Sequence, residues 1–358
     1  MASPVATAPL PGAEAAASPP LHPGLAQPEL SVVIKALNEA EKIEACLRSV
    51  MAATDPATTE IIVADSLSED ATVAIASRFP VKVVQLARIE DRGCGSAAQL
   101  GFQYARGKRL LLLDGDMELD PGFLAEANAA LDADPKLAGV AGMVVDRVMT
   151  LEFRRRKGKQ SGSDTPGLHD HLNGGGLFRM EAIRPFGYFT DRNLHACEEL
   201  ELGIRLTAAG WRLRRLDRPS VYHYGHSTAA FPLLFRRWKT RYLHGHGEIV
   251  RAKLGTGLWW RSMRGAWLYC GVILWWLALL GLLAGALFSP VLELSCAVLA
   301  LVLTVPILAQ CWRKRSAVMG LYSVALINFH TAGMIAGILT PRIDPRQPID
   351  SIVRHPER

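Results

Sequence analysis

Over three stretches near its end the 358-residue chain carries no Asp, Glu, Lys or Arg: Gly265 to Phe288, Leu294 to Trp312 and Ser316 to Thr340. A helix needs about 20 apolar residues to cross the hydrocarbon layer of a bilayer. The missing charge therefore excludes a wholly water-soluble protein and puts a membrane anchor in the C-terminal third. Cysteine is scarce too. Cys46, Cys94, Cys197, Cys270, Cys296 and Cys311 form no CxxC pair, and three of the six fall in the apolar stretches. This excludes a zinc cluster and a disulfide framework and agrees with a reducing compartment. Residues 1 to 28 lack any helical or strand period and are mostly Ala, Pro, Gly and Ser, as in a disordered tail. With no basic n-region and no apolar h-region, they do not read as a secretory signal. Ionisable groups are few within the apolar stretches, which argues against a channel or transporter.

Basic residues are clustered rather than spread. The formal net charge is +6. The clusters are Arg154 to Lys159, Arg236 to Arg241, and residues beside the apolar stretches. Such clusters suit anionic headgroups or phosphorylated substrates. No nucleic-acid partner is expected, because basic residues beside spans are usually membrane flanks.

Ahead of the anchor, strands and helices alternate. Ser31-Val32-Val33-Ile34 reads as a strand, followed by Asn38 and an amphipathic segment, Glu39 to Ala53. Glu60 to Ala64 is a second strand, ending at Asp65. Ser68 to Phe79 is helical in pattern, with Ser68 as N-cap. Val81 to Val84 and Arg109 to Leu113 are further strands, with a helix from Ser96 to Ala105 between them. This order predicts an α/β domain with a mostly parallel sheet and helices on both faces. Ligands of such sheets bind beyond the carboxyl ends of the strands. Asn38, Asp65 and Asp114 all fall there, so three strands aim polar groups at one crevice. The expected domains are 29–228 (soluble), 229–262 (interfacial helices), 263–340 (about three spans) and 341–358 (tail).

Phe231, Phe235, Trp238 and Tyr242 recur at helical spacing, with Arg236, Arg237, Lys239 and Arg241 between them. One apolar stripe with basic neighbours suits a helix in the membrane interface, or an amphipathic helix packed on the soluble domain. Arg251, Lys253, Arg261 and Arg264 precede the first span, and Arg313-Lys314-Arg315 follows the second. The Lys and Arg bias places the soluble domain and the 313–315 loop in the cytoplasm of an inner-membrane protein. A third crossing would put the arginine-containing tail outside, against the rule. A re-entrant last segment, carrying Asn328 and His330, would remove the conflict.

Asp114-Gly115-Asp116 closes an all-Leu strand. Two carboxylates two residues apart on a turn can share one hard divalent cation, Mg or Mn, which bridges substrate phosphates.

From Ser31 to Ser227 the chain resembles family 2 glycosyltransferases of the GT-A fold. Ile61 to Thr72 is similar to the family's nucleotide-binding stretch, Gly93 to Gly107 to the helix before the metal turn, and Asp114-Gly115-Asp116 to its DxD. Gly174-Gly175-Gly176-Leu177-Phe178-Arg179 is similar to the glycine segment on the acceptor side. Glu198-Glu199-Leu200-Glu201-Leu202 resembles the ED-x-D-L stretch that carries the catalytic base. The resemblance implies a nucleotide-diphosphate-sugar donor, a UDP-sugar first among them, and inversion at the anomeric carbon. Asp65, Asn38, Glu39, Arg92 and Asp114 would contact the nucleotide. Asp114, Asp116 and His223 would hold the cation, with His226 as the alternative histidine. Gly175 and Gly176 would face the acceptor. The base would be Glu199 or Glu198, with Glu199 favoured. The chain has Leu234-Phe235-Arg236-Arg237-Trp238 where processive members carry Q-x-x-R-W. The lost Gln and the few spans imply single-sugar transfer to a lipid or lipid-linked glycan. The runner-up acceptor is polyprenyl phosphate; a non-catalytic membrane scaffold is the alternative of another class.

Overall fold

The protein is described here by a computed structural model covering residues 28–148, 165–225, 228–287 and 292–354. The N-terminal tail, the 154–159 basic run and His226 lie outside the described residues.

A ten-stranded sheet organises the chain. Its first four parallel strands are β1 (Leu30–Ala36), β2 (Thr59–Asp65), β3 (Lys82–Leu86) and β4 (Arg109–Asp114). β5 (Met117–Leu119), β6 (Leu137–Asp146), β7 (Gly167–His169), β8 (Gly176–Arg179) and β9 (Arg212–His223) make the mixed half. β10 (Ser351–Arg354) comes from the far end of the chain. The order is β10-β3-β2-β1-β4-β8-β6-β9-β5, with β7 on β9.

The all-Leu strand shows why the sheet is two-sided. Leu111 and Leu113 pack into one buried cluster, Leu110 and Leu112 into another. Side chains alternate across a strand, and both faces are covered by helices, so β4 has no polar face to show. Each fully buried Leu contributes roughly 1.5–3 kcal/mol. The helices Ile43–Ala53 and Phe123–Ala133 cover the first face, and Cys94–Tyr104 and Glu198–Ala208 lie on the second.

The expected helix from Ser68 is shorter, Thr72–Ala76, and Ser68 is not its cap. Its hydroxyl donates to Asp65 Oδ1 instead, at 2.5 Å. Ser68, Asp70 and Thr72 accept from the backbone N–H groups of Asn38, Ala40 and Glu39 at 2.8–3.0 Å. The β2 loop is thus stitched to the β1 loop, which outweighs the helical pattern of the segment.

Among the described residues three helices are long and apolar enough to cross a membrane: Trp267–Ala286, Leu294–Lys314 and Ala317–Leu339. The third differs from the others. One third of its most apolar window (33%) is buried, against 6% and 0%. Tyr322 and Leu326 pack with Leu234 and Leu243. Phe231 meets Tyr322, and Phe235 and Trp238 meet Phe329, edge to face. The aromatic stripe of the helix Ala230–Lys239 therefore covers this helix, in addition to keeping some exposure. Farther along, a Cβ on Gly247 would lie 1.9 Å from the carbonyl oxygen of Met334, a contact only glycine permits.

The tail also departs from expectation. β10 pairs antiparallel with β3 at the edge of the soluble sheet. Arg342 pairs with Asp191 at 2.6 Å, and Arg192 donates to the carbonyls of Gln347 and Pro348. Residues 342–354 thus belong physically to the soluble domain.

Candidate active site

Lys35 is the centre of the site, and sequence reading missed it. It is the one charged residue in an apolar strand and stands opposite Asp114 in the β1–β4 register. Its ammonium lies 2.9 Å from Asp114 Oδ1 and 2.7 Å from Glu198 Oε1. Burial opposes its charge, but the carboxylates of Asp114 and Glu198 prevail and hold its pKa well above normal. One part-buried cation thus joins the acidic turn to the acidic helix start, which are 84 residues apart in sequence.

That pairing separates the two candidate bases. Glu198 is buried and committed to Lys35. Glu199 is only part-buried and lines a cavity of about 710 Å³ with Asn173, Tyr242, His246, Arg261 and Arg264. Burial, then the charge of Glu198, pushes its pKa up to about 8, with Lys35 opposing. The helix begins just after Cys197, whose backbone is left-handed (φ 64°). Asn38 (φ 57°) and Leu67 (φ 62°) share that conformation in the stitched loops. Uncommon backbone of this kind in bulky residues concentrates at functional sites.

Asp116 and His223 meet through β5 and β9, where Met117 pairs with His223. His223 Nε2 is 3.2 Å from Asp116 Oδ2, and Nδ1 is 2.8 Å from Asp146 Oδ1. Burial would lower the His223 pKa, but its hydrogen bonds to Asp116 and Asp146 raise it to about 9. Asp116 is lowered despite burial, because His223 bonds to it. Glu39 is pushed up to about 7 by burial and then by Asp116. The turn thus gathers Asp114, Asp116 and Glu39, with Lys35, Lys42 and His223 as the positive groups beside them.

Among the described residues no three His, Cys, Asp or Glu side chains form a ready-made metal cage. The donor set still fits a hard cation. Asp116 and His223 place an oxygen and a nitrogen 3.2 Å apart, a spacing suited to adjacent ligands about 2.1 Å from one ion. Substrate phosphates and waters usually complete such a shell. His223 would release its Nε2 proton on ligation. Asp114 is turned toward Lys35.

Several expected contacts are relocated. Asp65 is fully buried, and its oxygens accept from the Ser68 N–H, the Ser68 hydroxyl and the Gln85 amide. Three donors from the protein thus hold its carboxylate, which shapes the loop. The Asn38 side-chain oxygen accepts from the Glu69 N–H. Arg92 donates to the carbonyls of Ser66 and Leu67 at 2.9 and 2.7 Å, so it too braces this loop. Gly175 and Gly176 are buried, Gly176 as the first residue of β8 and Gly175 in the bend before it. Gly175 needs its left-handed φ of 81° to send its N–H to the carbonyl of Leu112. Asn173, two residues earlier, lines the cavity instead.

A larger cavity, about 800 Å³, lies at the amino ends of β1 and β4 among Leu30, Arg109 and Arg179. Several of its charges are paired with one another, as in Lys108 with Glu29 and Arg109 with Asp132. Parallel sheets bind ligands at the other end.

Residues 31–187 match the family described as Glycosyl transferase family 2. An uncharacterized glycosyltransferase of Mycobacterium bovis is 32% identical over 197 residues, covering 52% of this chain and 83% of the relative. The chain belongs to glycosyltransferase family 2. A dolichyl-phosphate beta-glucosyltransferase of Drosophila melanogaster is 37% identical over 102 residues, 25% of this chain and 31% of that one. A Pyrobaculum calidifontis mannosyltransferase, solved with GDP-Man and Mn2+, has the same fold: TM-score 0.56 at 19% identity, covering 87% of each chain. The transferase is therefore a GT-A-type α/β domain followed by helices long and apolar enough to span a membrane.

Proposed function

We propose that the protein is an inverting, cation-dependent glycosyltransferase that moves one sugar from a nucleotide-diphosphate sugar to a lipid or lipid-linked glycan at the cytoplasmic membrane face. The observation that carries this is the Lys35 bridge between Asp114 and Glu198. It makes one site out of the donor-side turn and the base-side helix.

Asp116 and His223 would hold the cation, which when bound offsets charge on the departing diphosphate. The stitched loops of Asn38, Glu39 and Ser68 would frame the nucleotide. Lys35 would keep Glu198 occupied in an ion pair. Glu199, facing the cavity, would take the acceptor hydroxyl proton, and a raised pKa suits a base working near neutral pH. A set of nucleotide sugars tested with Mn2+ for thermal stabilisation is expected to give one clear winner, since ligands of the native state raise the melting point by mass action. No shift with any of them would defeat the reading.

The returning tail bears on the membrane arrangement. The soluble domain and β10 share one sheet, so the chain between them crosses an even number of times. Two crossings, Trp267–Ala286 and Leu294–Lys314, return Arg313-Lys314-Arg315 to the soluble side. Ala317–Leu339 would then lie along the interfacial helices, as its burial supports. A protease site appended after Arg358 is expected to be cut in sealed vesicles from the side that exposes the soluble domain. Protection of that site while the domain is digested would overturn this arrangement.

A further inference from the structure

The cavity beside Glu199 runs from the base to Gly265, the first residue of the charge-free stretch. Two guanidinium groups, Arg261 and Arg264, line it at the membrane end. Arg261 donates to Thr207 Oγ1 at 3.1 Å. Arg264 is 3.7 Å from Asp170, and both of those side chains are about three-quarters exposed (74% and 78%). An exposed pair of that kind contributes about 0–1 kcal/mol and is readily exchanged. A guanidinium has five N–H donors in a planar fork that matches phosphate oxygens. Beside the arginines, Trp260 and Trp267 are exposed and stacked, with ring centres 5.5 Å apart. Exposed tryptophans next to arginines at the start of a span mark the headgroup level of a bilayer.

From this juxtaposition we infer that Arg261 and Arg264 form a binding site for the phosphate or diphosphate of a lipid-linked acceptor. The lipid chain would leave past Trp260 and Trp267, and the attached glycan would extend through the cavity to Glu199. This rests on the transferase reading above and adds the acceptor's chemical class. It also separates two anions. The donor diphosphate would belong to the Asp116–His223 side, the acceptor phosphate to the arginines on the membrane side of Glu199.

The test uses the full chain in neutral phosphatidylcholine nanodiscs, with tryptophan fluorescence as the signal. Farnesyl diphosphate, farnesol and inorganic diphosphate are the probes. The expected result is that farnesyl diphosphate binds at least tenfold tighter than either of the others. R261Q/R264Q is expected to lose that advantage, and R264Q alone, at an exposed position, to lose part of it while melting as the wild type does. Equal binding of farnesyl diphosphate and farnesol overturns the inference, and so does unchanged binding by R261Q/R264Q. Phosphatidylglycerol in the nanodisc that displaces farnesyl diphosphate as well as farnesyl diphosphate displaces itself would also overturn it, by assigning the site to bulk lipid. Donor-induced thermal stabilisation of the wild type is read separately, so loss of the transferase reading is distinguishable from loss of this site.

Discussion

Asp116→Ala is expected to lower sugar transfer about a thousandfold. That is the effect of losing roughly 4 kcal/mol of charge stabilisation at the leaving diphosphate, within the range a Lewis-acidic ion supplies. The variant also removes one of the two carboxylates that hold His223 protonated, so the His223 pKa should fall from about 9. Asp116→Asn separates the two effects, since it keeps the side chain's shape while removing its charge. Both variants should need far more Mn2+ for any residual rate. Initial rates measured against Mn2+ concentration check this. Wild-type turnover by Asp116→Ala, at ordinary Mn2+, would remove the cation site from the mechanism.

Glu199→Gln should cost a factor of about 10²–10⁴ in kcat, the usual contribution of a positioned general base. The pH profile carries the sign. Burial and the Glu198 charge raise the Glu199 pKa to about 8. The active form is the carboxylate, so kcat/KM should rise as pH climbs toward about 8 and level off above it. A cation on the neighbouring turn favours the carboxylate and moves that midpoint down, toward the ordinary range. Glu199→Gln should abolish the rise, whereas a purely structural glutamate would leave the profile's shape unchanged. The same variant tests the acceptor. A phosphate acceptor is ionised already and needs no base, so undiminished transfer to polyprenyl phosphate by Glu199→Gln would favour that runner-up over a hydroxyl acceptor.

The elements that sequence reading found are those with a strong local period. Residues 109–114 could be placed because the four leucines from Leu110 to Leu113 read as one buried strand ending in Asp114. The Ser68 segment was misjudged because its side-chain oxygens prefer the N–H groups of the β1 loop, and nothing within the segment records that partner. Asp65 stands at the end of β2, as its strand pattern implied, and its protein partners could not be read from the sequence. Its three donors come partly from Gln85 on another strand. Glycines at 175 and 176 signalled a tight backbone, and that is their use in the sheet; the polar side chain that reaches the cavity is Asn173.

Composition and spacing alone fixed an α/β domain, an acidic turn at a strand end, an acidic helix start and three bilayer-length apolar segments. Such features are written within one element, through side-chain periodicity and solvent preference. Tertiary structure alone decided that Lys35 joins Asp114 to Glu198, that Glu199 is the glutamate left facing a cavity, and that the tail comes home to β3. Each of those depends on the register between segments far apart in the chain, which is set by packing the whole sheet and leaves no mark on any short stretch of residues.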